Sequence, residues 1–370
     1  MGIAERIKPH FAGLKAYEPG KPIEELEREL GIEGSIKIAS NENAIGPSPK
    51  AVAAMQRAAE GAHRYPDGKN FALRRALAAH LGVADDQLVF GVGSDEILEL
   101  IAKALIGPVT EVVYPWPSFA MYPLVVQGMG GTAVPVPLTA DMNHDLSAMS
   151  KAISDRTQVV FVCNPNNPTG TSIGRREFDH FIEILPEDLP LVIDEAYLEY
   201  ARRDDFPDSL EWVRRRPATC VLRTFSKAYA LAGARVGYGV TDAEFAGWLE
   251  RGRHPFNVNL IAEAGALAAL EDVEHLRRGI ENNARGMETL ERGLTKLGVR
   301  FWPSDANFLL MQTGEGTYEA LLRLGVIVRP LAGFGMPDCV RVTVGTEEEN
   351  ARFLDALSVF LRKGAGSGAS

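Results

Sequence analysis

The chain has 370 residues, 46% hydrophobic and 24% charged, which suits a soluble globular protein with one large and one smaller domain. Its 39 basic and 49 acidic residues leave a formal charge of −10, which argues against a nucleic-acid or anionic-membrane partner. Cys163, Cys220 and Cys339 stand singly, without metal-ligand or disulfide spacing, and no run approaches the ~20 apolar residues of a membrane span or a signal-peptide core, so a cytoplasmic protein with reduced thiols and no metal is expected.

Residues 1–35 are broken by Pro9, Pro19, Gly20 and Pro22, with one amphipathic helix over Ile23 to Leu30, and read as an arm laid over the body. Beyond Ile36, helical and strand-like segments alternate. Helices are predicted over Pro49 to Glu60, Phe71 to Leu81 and Ser94 to Leu105. Apolar strands are predicted at Gln87 to Phe90, Glu111 to Tyr114, Val159 to Cys163, Leu191 to Asp194 and Ala218 to Leu222. The alternation implies βαβ units and a mostly parallel sheet, an α/β large domain over residues 36–254. Past Pro255 a long helical stretch, Val258 to Leu297, is expected to break at Gly265, Asp272 and Gly279. Strands at Val299 to Trp302, Phe308 to Gln312, Val326 to Arg329 and Val340 to Val344 follow, then a helix at Glu347 to Leu361. These suggest a small α+β domain over residues 255–363, and residues 364–370, all Gly, Ala or Ser, read as a disordered tail.

The stretch Arg223 to Gly239 carries the strongest chemical signal. Lys227 falls on a strand-to-loop turn with Thr224 and Ser226 beside it and Arg235 a little further on. A lysine amine kept among apolar and cationic neighbours loses its proton readily and attacks aldehydes. Hydroxyls and an arginine suit a phosphate monoester. Pyridoxal 5′-phosphate (PLP) carries both groups.

Further features converge on that reading. Gly93-Ser94-Asp95 follows a strand and opens a helix, where free amides can meet an anion; the alternative is an ordinary helix start capped by Ser94. Asp194 ends a buried strand and is costly unless it meets a cation. A protonated pyridine nitrogen is such a cation, a magnesium ion another, and a structural carboxylate is a third possibility. Tyr197, three residues on, can hydrogen-bond a phenolic oxygen. Asn167 is biased toward extended backbone by Pro168, so its amide can project across the sheet edge, and Phe119 can stack on a flat ring. All lie just past strand C-termini, where open α/β sheets bind ligands.

With Tyr17 to Pro22, Asn41 to Pro49, Arg64 to Pro66, Asn164 to Gly170, Pro255 to Asn259 and Arg341 to Gly345, these residues span nearly the whole chain. In that order they resemble the fold-type I PLP-dependent aminotransferases, and within them the histidinol-phosphate aminotransferase group. The resemblance implies the PLP-dependent transferase fold type I and a homodimer with shared active sites. It implies Lys227 as Schiff-base lysine and proton shuttle, Asp194 at the pyridine nitrogen, and Asn167 with Tyr197 at the phenolic oxygen. Thr224, Ser226, Arg235 and the helix start Gly93-Ser94-Asp95 would hold the phosphate, joined by Tyr65 from the neighbouring subunit. Phe119 stands where the group commonly has a tyrosine, which keeps stacking and drops a hydroxyl. Arg341 matches the substrate-anion arginine, with Arg329, Tyr17, Asn41 and Asn307 at the substrate end. Ala44 replaces a proline usual after Asn41-Glu42-Asn43.

The expected partners are an amino donor and a 2-oxo acid. One carboxylate is satisfied by one guanidinium fork, whereas a phosphate dianion can use both Arg329 and Arg341. That favours L-histidinol phosphate with 2-oxoglutarate; phenylalanine or tyrosine is the alternative donor. The rivals of other classes are a lyase and a non-catalytic binding protein on the same fold.

Overall fold

The computed structural model describes residues 2–14, 16 and 20–367. The strands, in chain order, are Ile36–Lys37 (β1), Leu88–Gly91 (β2), Glu111–Trp116 (β3), Thr132–Pro137 (β4), Thr157–Cys163 (β5), Leu191–Asp194 (β6), Thr219–Thr224 (β7) and Gly237–Val240 (β8), then Arg300–Phe301 (β9), Phe308–Gln312 (β10), Val326–Ile327 (β11), Arg329–Pro330 (β12) and Cys339–Thr343 (β13). β2 to β8 form a seven-stranded sheet in the order β2-β8-β7-β6-β5-β3-β4. It is parallel except for β8, which runs antiparallel to both neighbours. This is the expected α/β, mostly parallel architecture.

Alternate residues of the central strands face opposite sides. Val113, Val160, Val162, Ile193 and Val221 belong to one buried cluster, while Val112, Val159, Phe161, Val192 and Leu222 belong to another on the far face. Helices cover both faces, so β6 and β7 are buried at every position, and residues 191–193 and 220–222 read as apolar runs. Each large side chain so buried contributes roughly 1.5–3 kcal/mol of transfer free energy. β4 carries Pro135 and Pro137, and it lies on the sheet edge, where a missing amide costs least.

β8 is the strand that the glycines conceal. Gly237 and Gly239 read as punctuation, yet both sit in a fully buried strand because neighbours press against the backbone. A Cβ at Gly237 would fall 2.4 Å from the Ser94 amide nitrogen. Two other glycines behave likewise. The stretch expected to break at three places breaks once, around Asp272, giving helices Leu260–Leu270 and Val273–Lys296. Gly265 and Gly279 lie inside them because Cβ atoms there would meet Met55 Cγ at 2.7 Å and Asn43 Nδ2 at 2.8 Å. The first of these helices packs on Pro49–Ala59, and its Ala262 and Ala266 join the cluster that holds Phe90 and Val221.

The second packs on the small antiparallel sheet, ordered β12-β13-β10-β9, together with the last helix, Glu347–Ser367. That helix runs past Leu361 through residues 364–367; residues 368–370 lie outside the described part. β1 pairs with β11, and Leu26 of the arm helix Ile23–Leu30 packs against Ala39 and Ile327. The segment that follows the arm is thereby tied to β11. All three cysteines are free and buried. Among the described residues no helix is long and apolar enough to cross a membrane, and no three His, Cys, Asp or Glu group as metal ligands.

Candidate active site

The C-terminal ends of β5, β6 and β7, the start of helix Ser94–Leu105 and strands β12 and β13 of the four-stranded sheet close around one cavity. Lys227 lies in its wall, three residues past β7. Its Nζ donates to the Ser40 carbonyl at 3.2 Å and stands 5.8 Å from the centre of the Tyr197 ring. Burial pushes its pKa down to about 8, Arg341 and Arg235 assist, and Asp95 and Glu42 oppose. A neutral amine is therefore available near physiological pH.

Asp194 ends β6 with only 3% of its surface exposed. Ala196 N–H donates to Oδ1 at 3.2 Å and the Tyr122 hydroxyl to Oδ2 at 3.3 Å. Neither donor is cationic, so burial dominates and pushes the carboxyl up to about 7, with Asp95 and Glu195 adding to it. A cation brought alongside would restore the carboxylate.

The helix start is not capped by Ser94. Gly93, not Ser94, is the N-cap, with φ +80° and no side-chain cap. A Cβ on Gly93 would sit 2.7 Å from Arg235 Nη2. The first-turn amides thus keep no side-chain partner, and a guanidinium closes over the bare turn. Arg235 is held by Ala232 O at 3.1 Å, Ser226 Oγ at 3.4 Å and Asp95 Oδ2 at 3.4 Å. Thr224 Oγ1 accepts from Ser226 N–H at 3.0 Å. Amides, hydroxyls and an arginine converge there as a phosphate monoester requires.

The opposite end belongs to the four-stranded sheet. Arg329 and Arg341 are direct partners across the β12–β13 pair, so both side chains leave the same face, and both line the cavity. Arg341 donates to Asn167 Oδ1 and, at 2.7 Å, to Ala39 O. Asn41 donates to the Tyr197 hydroxyl at 2.9 Å, while its amide and side-chain oxygen meet Thr343 Oγ1. Burial pushes the Tyr197 phenol well above its ordinary range. Phe119 lines the cavity wall.

Two expected residues, Asn307 and Tyr65, stand apart from the cavity. Asn307 lies behind Asn41 and holds the Asn41 and Glu42 carbonyls at 3.1 and 3.4 Å, bracing the loop and not the cavity wall. Tyr65 is 83% exposed and stacks on Phe256 with ring centres 4.8 Å apart. Tyr17 lies outside the described residues.

The site also holds residues that the sequence did not single out. Phe334 lines the cavity and stacks on Trp116 of β3 at 5.7 Å. Arg223 makes two bonds to Glu195 Oε2, at 2.9 and 2.8 Å, immediately behind Thr224 and Asp194. An acid following β6 and a base near the end of β7 were the available signal, since the parallel register pairs Asp194 with Leu222. Tyr122 lies three residues from Phe119, one helical turn, but nothing local marks it as a partner of Asp194.

A phosphorylated pyridine aldehyde fits this donor set: a bare glycine turn at one end, an amine with lowered pKa in the middle, and a buried carboxyl short of a cation. The comparisons agree. The profile of the aminotransferase class I and II family matches residues 33–357. Histidinol-phosphate aminotransferase 1 of Nitrosococcus oceani is 49% identical, covering 95% of each chain. Histidinol-phosphate aminotransferase of Akkermansia muciniphila is 46% identical over 98% of this chain and 100% of its own. The crystal structure of histidinol-phosphate aminotransferase from Sinorhizobium meliloti in complex with pyridoxal-5′-phosphate superposes with a TM-score of 0.88, 30% identity, and coverage of 97% and 98%. On the family match and these full-length relatives, the chain belongs to the aminotransferase class I and II family, in its histidinol-phosphate aminotransferase group.

Proposed function

We propose that this protein is a PLP-dependent aminotransferase that moves the amino group of L-histidinol phosphate to 2-oxoglutarate, in the cytoplasm and as a homodimer. The observation that carries the substrate is the opposed pair Arg329–Arg341, both facing the cavity that holds Lys227. Two forks match a phosphate dianion in one half-reaction and a carboxylate in the other.

When bound, the cofactor supplies an electron sink for the carbanion at the substrate's α-carbon. The chain's residues do the rest. Gly93, Ser94, Asp95, Thr224, Ser226 and Arg235 hold the phosphate, and Phe119 gives the ring a face to lie on. Asp194 holds a proton on the pyridine nitrogen, since a cation relieves the cost of its buried charge. Tyr197, oriented by Asn41, and Asn167, oriented by Arg341, address the phenolic oxygen. Lys227 Nζ, with its pKa lowered to about 8, gives and takes a proton near neutral pH. The exposed Tyr65 reaches the phosphate of the neighbouring subunit's site.

The test compares donors. Histidinol phosphate should give a higher kcat/KM than phenylalanine with 2-oxoglutarate, and Arg329→Gln should lower the first by on the order of tenfold or more while sparing the second. A higher kcat/KM for phenylalanine in the unaltered enzyme would replace this reading with an aromatic aminotransferase.

A further inference from the structure

The Tyr122 hydroxyl has no place in the chemistry described so far, yet it reaches the most consequential carboxyl of the site. Helix Met121–Gly128 starts just after Phe119, and Tyr122 is fully buried beneath it. Three rings fix its position: Tyr114 at 5.9 Å, Phe161 at 5.1 Å, and Phe119, edge-on, at 5.8 Å and 90°. Its hydroxyl is left pointing at Asp194 Oδ2, 3.3 Å away. It is the side-chain donor to Asp194 among the described residues; the other donor is the Ala196 amide. Cys163, the register partner of Asp194 across β5 and β6, turns its thiol toward Pro165 O at 3.4 Å. Asp95 and Glu195, the charged groups that push the Asp194 carboxyl up, are acids and cannot donate when ionised, and the Cys163 thiol interacts with both Asp194 and the Tyr122 hydroxyl.

We propose that Tyr122 is a positioning residue of the reaction: one ring holds Phe119 from its edge and, through its hydroxyl, keeps Asp194 ionised and oriented toward the pyridine nitrogen. This rests on the assignment of Asp194 to that nitrogen. A hydroxyl bonded to a carboxylate favours its charged form, and in a buried site the preference is enlarged. Without it Asp194 becomes the stronger base and draws the shared proton off the pyridine nitrogen. A bound ring would then carry less positive charge, and the nitrogen joining it to Lys227 would hold its proton to higher pH.

Tyr122→Phe tests this, because it keeps the ring, and hence the packing on Tyr114, Phe161 and Phe119, and removes one oxygen. The readouts are the pH midpoint of the visible absorbance of the lysine-bound cofactor, the PLP dissociation constant, and kcat. The midpoint should move to higher pH, kcat should fall about tenfold with KM little changed, and the melting temperature should stay close to that of the parent. In an Asp194→Asn background Tyr122→Phe should move the midpoint no further. An unchanged midpoint and kcat in Tyr122→Phe, beside a large change in Asp194→Asn, overturns the role of Tyr122 alone. No change in Asp194→Asn removes the Asp194 assignment and this proposal with it.

Discussion

Asp194→Asn is expected to stabilise the cofactor-free protein and to cripple the loaded one. In the folded chain burial holds this carboxyl at about 7, against 3.8 when unrestrained. Folding therefore keeps a proton that the unfolded chain releases, so stability is fully present below about 3.8 and is lost as pH rises to about 7. At about 1.4 kcal/mol per pH unit, the loss reaches about 4 kcal/mol above neutrality. Asparagine has no such titration, but one of the two donors on Asp194 loses its acceptor, at about 1 kcal/mol independent of pH. The balance in favour of the variant should widen by about 2–3 kcal/mol between pH 5 and pH 8. Urea unfolding of both cofactor-free proteins at equal concentration measures it, and other titrating groups cancel in the comparison. A gap that stays constant with pH would refute the buried, cation-seeking carboxyl. With PLP bound the order reverses, because the pyridine nitrogen loses its counter-charge and turnover should fall on the order of 10²-fold or more.

The remaining expectations are more direct. Lys227→Ala should abolish turnover and the visible absorbance of the lysine-bound cofactor while circular dichroism stays native; retained turnover would falsify the assignment of Lys227. Gly93→Ala forces a Cβ to within 2.7 Å of Arg235 Nη2 at a φ of +80°. It should raise the PLP dissociation constant about tenfold by equilibrium dialysis, the equivalent of roughly 1–2 kcal/mol of strain and displaced guanidinium. Tyr65→Phe should loosen PLP with little change in melting temperature, since one charge-assisted bond to phosphate is removed. A fully active monomer in sedimentation would end the reading of Tyr65 as a residue acting across a dimer.

Much of this protein is written locally. Helices Phe71–Leu81 and Ser94–Leu105 and strand Leu191–Asp194 fall where the apolar period places them, because burial against a sheet face imposes that period on the sequence. The Lys227 turn was legible for the same reason: strand, hydroxyls, lysine and arginine are close in the chain, and their chemistry can be read without knowing what lies opposite. Arg329 and Arg341 were expected to act together, and the antiparallel register of β12 on β13 sets them directly opposite each other.

What the tertiary structure alone decided concerns partners brought from afar. Glycines at 237, 265 and 279 look like breaks, and only the neighbouring Ser94 amide, Met55 and Asn43 show them to be points of close approach inside regular elements. Asn307 looks like a substrate ligand, yet its amide is spent on the Asn41–Glu42 carbonyls, a contact across more than 260 residues of chain. Tyr122 looks like core and is core, except for one oxygen that the packing of three rings directs at Asp194. Periodicity records that a side chain is buried, because burial repeats along an element; it does not record which atom of a distant element the side chain meets, because that depends on how the sheet's register and the helices' placement bring two segments together.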